Sequence, residues 1–325
     1  MKRKILILSS IVIILLIILL KFYFEQPSLS QEKILKIKKG ESAFSIGEKL
    51  KKEGLIKNKY VFLLYAFFTG KARELKAGTY KLHSSMSIPE IISKLAAGET
   101  LKIKITIPEG LTLKEIEEKL RTINPKINLS QFSIKDFKKD FPLLKEVPDN
   151  ASLEGFLFPD TYYFEAETPE REIVLTFLKN FEKKLRPRDE EIKRQGKTLF
   201  DILIVASLIE KEVSKKEDRK LVSGILWKRL KHNIPLQVDA TITYITGKKT
   251  TKISFEETKI DHPYNTYLYK GLPPGPICNP GLESILAAIY PKESNYWYYL
   301  STPQGETIFN ENLKGHNLAK TKYLK

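Results

Sequence analysis

From Ile5 to Phe24 the chain reads ILILSSIVIILLIILLKFYF, an apolar run with one charge, Lys21, near its end. A bilayer core needs about 20 apolar residues in a helix, because no water is there to satisfy an open backbone. A lysine near the end of such a helix can snorkel to the interface. Met1-Lys2-Arg3-Lys4 puts the positive cluster on the N-terminal side. Residues 1–4 are therefore expected to form a cytoplasmic tail, with the rest of the chain crossing. The apolar core is long for a cleaved signal peptide, and no A-x-A-like site follows it. An uncleaved single-pass anchor over 5–24 is expected, with a short polar linker over 25–33.

The charge balance is the second constraint. The sequence holds 55 Lys+Arg against 39 Asp+Glu, a formal net charge of +16. Such an excess suits an anionic partner. The basic residues are spread along the chain, with no recognisable nucleic-acid module, so a diffuse attraction to an anionic surface is expected and nucleic acid is not. Cys278 is the only cysteine, which rules out an intramolecular disulfide. His83, His232, His262 and His316 show no metal-ligand spacing, so neither a metal nor another cofactor is expected.

After the linker, ILKIKKGESAFSIGEKLKKEGLI (34–56) reads as a short strand, a turn at Gly40 and a helix with Phe44, Ile46 and Leu50 inward. This order resembles a LysM module, a fold associated with N-acetyl sugar polymers. An echo, ITIPEGLTLKEIEEKL, falls at 105–120, and strand–turn–helix units also look alike by default. A LysM-like subdomain is expected over 34–104 and a catalytic domain over 105–325. Between the echoes, Lys59 to Thr69 reads as an aromatic-rich helix, Ala77 to Leu82 as turn and strand, and Ile88 to Leu95 as a helix. Residues 124–150, punctuated by Pro125, Pro142 and Pro148, read as a hinge or loop. EGFLFPDTYYF (154–164) is either a core strand ending in a turn or a sugar-stacking wall in which Glu154 or Asp160 holds hydroxyls. Residues 168–195 read as one long charged amphipathic helical stretch.

The next stretch, LFDILIVASLIEKEVSKKEDRKLVSGILWKRLKHN (199–233), reads as two helices with a break near Val213–Ser214. Asp201 can cap the first, and Ser214 to Glu217 has the form of a capping box for the second. The first is apolar nearly all round, which marks a buried helix. Glu210 ends its apolar run. A carboxylate there is either poorly solvated, which favours the proton-carrying form a general acid needs, or it leaves the core and meets solvent. In LQVDATITYITG (236–247) the period-two rule puts Gln237, Asp239 and Thr241 on one side of an extended segment, lining a groove or forming a wet edge. Tyr264 to Tyr267 then precede the rigid Gly271-Leu272-Pro273-Pro274-Gly275-Pro276 turn, and Asn279-Pro280-Gly281 opens a helix with Pro280 in its first turn. Tyr296 to Ser301 reads as a strand, and Thr307 to Phe309 as its short partner.

Four segments in order, EGFLFPDTYYF, ASLIEKE, LQVDATITY and YNTYLYKGLPPGPICNPG, resemble the MltG/YceG family of endolytic murein transglycosylases. The resemblance covers nearly the whole chain after the anchor. It implies an α+β architecture: a transmembrane helix, a LysM-like α/β subdomain, and a mixed α+β catalytic domain with its glutamate on a buried helix. It implies cleavage of the β-1,4 bond between N-acetylmuramic acid and N-acetylglucosamine within peptidoglycan strands. The new ends would be 1,6-anhydro-N-acetylmuramic acid, and strand length would be limited. The family's glutamate, the first of the EKE motif, falls on Glu210. That residue would protonate the leaving oxygen and then take the proton of the C6 hydroxyl as it attacks C1. Glu154, Gln237, Asp239, Thr241, Asn265, Tyr267 and Asn279 are the substrate-binding candidates. The family usually has Asp-Pro-Thr where this chain has Asp239-Ala240-Thr241, which loosens a turn without removing a functional group. The implied partners are peptidoglycan strands, the cytoplasmic membrane and peptidoglycan synthases. A hydrolase (muramidase) and a non-catalytic membrane-tethered peptidoglycan-binding scaffold remain as alternatives.

Overall fold

A computed structural model of the chain describes residues 31–213, 215–248 and 253–323, with Ile13, Ile14 and Ile17. The expected tail (1–4), most of the expected anchor (5–24) and Ser214 lie outside these residues. Among the described residues no helix is long and apolar enough to cross a membrane. The chain divides into two compact units, the smaller holding the residues up to Ile103 together with Tyr163–Glu167, the larger holding Lys104–Tyr162 and Thr168–Lys325.

The smaller unit runs β1 (Glu32–Ile37), α1 (Ala43–Lys52), α2 (Lys59–Phe68), β2 (Gly78–His83) and α3 (Ile88–Ala97). β1 and β2 pair antiparallel, Glu32 opposite His83 and Ile37 opposite Gly78. Alternation along β1 sends Leu35 and Ile37 inward, where they join Ile46, Leu50, Phe62, Ala66, Tyr80, Leu82 and Ile91 in one core. Each helix start has its own local signal. Ser42 and Asn58 accept from the first-turn N–H groups of α1 and α2, and Ser87 forms a capping box with Glu90 at α3. The returning segment Tyr163–Glu167 is held by Thr100 Oγ1 donating to Glu165 at 2.7 Å and by an ion pair between Lys36 and Glu167. β3 (Lys102–Thr106) pairs with β4 (Thr161–Glu165), and the division between units falls inside both strands.

In the larger unit, α4 (Leu113–Leu120) is followed by the segment 124–150, which the sequence marks as a hinge or loop. It is packed: Ile127, Leu129, Ile134, Phe137, Phe141, Leu144 and Val147 are buried between short 3-10 turns. The prolines shape tight turns there, while the apolar residues between them supply a core. The stretch expected as one long helix is α5 (Glu170–Leu185) and α6 (Asp189–Arg194), separated by a 3-10 turn at Arg186–Arg188. Pro187 accounts for the break, since it has no N–H to donate to the preceding turn.

α7 (Leu199–Glu212) and α8 (Lys216–Lys231) break at Val213, as the sequence indicates. Thr198, rather than Asp201, caps α7, and Asp201 answers as the other half of a capping box. Leu199 and Ile202 to Ile209 are buried, chiefly against α10 (Leu282–Ile289). The segment read as extended at 236–247 is instead a turn at Gln237, at φ +52°, leading into α9 (Asp239–Thr246). Gly281 is the N-cap of α10, so Pro280 precedes the helix instead of opening it. β5 (Tyr298–Ser301) and β6 (Thr307–Asn310) form the expected hairpin, followed by α11 (Leu313–Tyr323).

Candidate active site

A cavity of about 1940 Å³ opens in the larger unit, walled by the end of α7, the start of α9, strand β5 and the start of α4. Glu212, the last residue of α7, lines it. The Ala240 N–H, at the start of α9, donates to Glu212 Oε1 at 3.1 Å, and the Tyr299 hydroxyl donates to the same carboxyl group. Ser301 Oγ holds the Glu212 backbone carbonyl at 2.8 Å. Burial, reinforced by the neighbouring Asp239 charge, outweighs these donors and pushes Glu212 up to about 7. Asp239 is itself raised by burial, and it accepts from the Tyr267 hydroxyl.

Glu210 stands elsewhere. Two residues along a helix lie about 200° apart around its axis, so Glu210 and Glu212 face different surroundings. Glu210 is outside the cavity lining, with its side chain only 8% exposed. It accepts from the Gly281 N–H at 2.9 Å and pairs with Arg219 at 3.5 Å. Arg219 Nε also donates to the Val213 carbonyl at 3.2 Å, so this group ties together the α7–α8 break and the start of α10. A Cβ on Gly281 would fall 1.9 Å from a Glu109 carboxylate oxygen, so a larger residue there would have to displace the end of the Glu109 side chain.

Of the other residues singled out from sequence, Glu154, Gln237, Asp239 and Tyr267 line the cavity. Glu154 is 4% exposed and accepts from the Leu113 N–H at 2.9 Å, from Asn279 Nδ2 at 2.9 Å and from the Tyr244 hydroxyl. Burial prevails over those donors and raises it to about 8. Thr241, Asn265 and Asn279 turn their polar atoms into the protein. Thr241, in α9 and not on a strand, donates to the Val238 carbonyl at 2.7 Å and meets Thr266. Asn265 donates to the Thr258 and Ile260 carbonyls and accepts from Tyr267 N–H. Asn279 accepts from the Gly155 and Leu157 N–H groups and donates to the Leu111 carbonyl as well as to Glu154.

Sequence reading passed over several wall residues. Tyr298 and Tyr299 come from β5, Tyr244 from α9 and Arg229 from α8. Arg229 is buried and donates to the Leu236 carbonyl at 2.8 Å and the Trp297 carbonyl at 3.0 Å, fixing the two segments that carry Gln237 and Tyr298. The signal for Tyr298 and Tyr299 was the aromatic density of 296–300, which reads equally as an ordinary strand. Chemically the cavity offers two carboxylic acids raised toward neutral pH, Glu212 and the deeper Glu154, with Asp239 beside the first, and tyrosine faces on which sugar rings can lie.

The YceG-like family model matches residues 35–322. The chain belongs to the YceG-like family. It is 36% identical over 305 residues to the endolytic murein transglycosylase of Bacillus subtilis strain 168, covering 89% of this chain and 84% of that protein. It is 33% identical over 311 residues to the endolytic murein transglycosylase of Streptococcus pneumoniae D39, covering 86% of this chain and 56% of that longer protein. A crystal structure of a yceG-like protein from Listeria monocytogenes, 30% identical, superposes with a TM-score of 0.62 over 90% of this chain and all of the other. The mixed α+β architecture is thus that of a YceG-like protein.

Proposed function

We infer that the protein is an endolytic murein transglycosylase, cutting the β-1,4 bond between N-acetylmuramic acid and N-acetylglucosamine inside glycan strands and leaving 1,6-anhydro ends. The observation that carries the chemistry is Glu212 in the cavity wall, held at about 7 by burial and Asp239. A protonated Glu212 donates to the glycosidic oxygen as the C1–O bond breaks. The carboxylate so formed takes the proton of the C6 hydroxyl as that oxygen closes on C1, and no water enters. One residue serves as acid and then base. Asp239, kept by Tyr267, is suited to steady positive charge at C1. Glu154, Gln237 and the tyrosines line the path of the strand.

The EKE motif offers two glutamates, and the family resemblance alone places the role on Glu210. The geometry favours Glu212, because Glu210 is engaged by Arg219 and Gly281 away from the cavity. Glu210→Gln and Glu212→Gln, each incubated with uncrosslinked glycan strands, separate the two. Loss of anhydro ends by at least about 100-fold is expected for Glu212→Gln. Glu210→Gln is expected to keep turning over with an unmoved pH profile. The reverse result would return the role to Glu210, and reducing ends in place of anhydro ends would make the enzyme a hydrolase.

The β-α-α-β order of the smaller unit, with β1 antiparallel to β2, supports a LysM-like reading and a glycan-holding role for it. The apolar run at 5–24 supports single-pass anchoring in the cytoplasmic membrane, N-terminus inside and cavity outside, where synthases lay down new strands.

A further inference from the structure

Helix α2 (Lys59–Phe68) buries one face and leaves the other bare. Phe62 and Ala66 are fully buried in the core with Leu35 and Ile37 of β1. Tyr60, Leu64, Phe67 and Phe68 are 61%, 48%, 74% and 72% exposed. Their spacing places them along one stripe of the helix. The unit gains nothing by holding these side chains in water, and their grouping marks an interaction surface. The flanks are basic: between positions 57 and 76 Lys57, Lys71, Arg73 and Lys76 stand against the single acid Glu74, with Lys59 paired to Glu48 at 2.6 Å.

The length of the connecting chain says what lies opposite. Residues 25–31 are all that separate the apolar run ending at Phe24 from β1 at Glu32. Fully extended, they reach about 25 Å. Because β1 and α2 share one core, α2 is tethered at that range from the bilayer that the anchor enters. Aromatic and leucine side chains framed by Lys and Arg suit the boundary between acyl chains and anionic headgroups.

We propose that the Tyr60/Leu64/Phe67/Phe68 face of α2 lies on the anionic lipid surface of the membrane that anchors the chain, seating the smaller unit on the bilayer. The proposal rests on the anchored reading given above.

Cys278, the only cysteine, is buried, so an exposed introduced thiol can be labelled selectively. The full chain carrying Phe68→Cys, and separately Leu64→Cys, is spin-labelled and reconstituted into phosphatidylglycerol-containing vesicles. Flotation reports anchoring, and power saturation with oxygen and with a water-soluble nickel complex reports depth. Both labels are expected to relax more with oxygen than with nickel, and to do so less in purely zwitterionic vesicles. A chain that floats while both labels stay accessible to nickel overturns the proposal and leaves the anchor standing. A chain that does not float overturns both. Labels slowed by added glycan strands, with no lipid exposure, overturn it in favour of a sugar-binding face.

Discussion

Glu212 and Glu154 are both carboxylic acids whose neutral form the protein favours, and each leaves its own signature in pH. In the role proposed for it Glu212 must be protonated to donate, so kcat/KM should fall as pH rises through about 7. Asp239→Asn removes the negative neighbour that discourages ionisation, and the falling limb is expected to move to lower pH. Tyr299→Phe removes a donor to the carboxylate, and the limb is expected to move up. Opposite displacements in the two profiles, read from anhydro-end formation, check the assignment. Glu154 acts on stability. Its folded value of about 8 lies above the ordinary 4.5, so folding takes up a proton between those limits. Its contribution is fully present below 4.5 and is lost as pH rises toward 8, by at most about 5 kcal/mol. Glu154→Gln is expected to flatten the dependence of Tm on pH across that window. Sequence patterns reached Glu154 as a candidate, but its depth depends on Leu113 and Asn279, which are far away in the chain.

At the scale of elements, the site is built by caps and crossings. Asn279 joins Gly155, Leu157, Leu111 and Glu154 in front of α10. Asn279→Ala would leave buried donors and a carbonyl unpaired, and a loss of about 3 kcal/mol is expected in denaturant titration. Helix α8 passes the loop at Lys292 so closely that a Cβ on Gly224 would fall 2.1 Å from the Lys292 carbonyl oxygen. Gly224→Ala should therefore cost about 2 kcal/mol or more by the same measurement, although alanine is the better helix former. The sequence yielded α7 and α8 readily, since an unbroken apolar run and a cap are local signals. It misread 236–247, because Gln237, Asp239 and Thr241 alternate with apolar Val238 and Ile242 in a period-two pattern, while the chain turns at Gln237 under ties to Thr266. Such ties carry no local mark.

For the whole molecule, the smaller unit is not a contiguous stretch of chain. Its segment Tyr163–Glu167 returns after the intervening 104–162, and Glu165 and Glu167 bond to Thr100 and Lys36. A fragment of 31–103 is expected to unfold at lower urea than the same unit within the full chain, with Thr100→Val in the full chain giving a smaller change in the same direction. A contiguous boundary near residue 104 is what pattern reading offers, because it sees the chain in order and cannot see a strand come back.

The sequence by itself determined the apolar run at 5–24, the buried helix that carries the EKE motif, the α+β class and the family. These rest on composition, period and local spacing, which are properties of neighbouring residues. Only the tertiary structure decided which glutamate of that motif meets the cavity. Both leave the same helix within one turn, and their directions differ by roughly 200°. What each direction meets, Asp239 and Tyr299 for Glu212 or Arg219 and Gly281 for Glu210, is set by α8, α9, α10 and β5 folding around the end of α7.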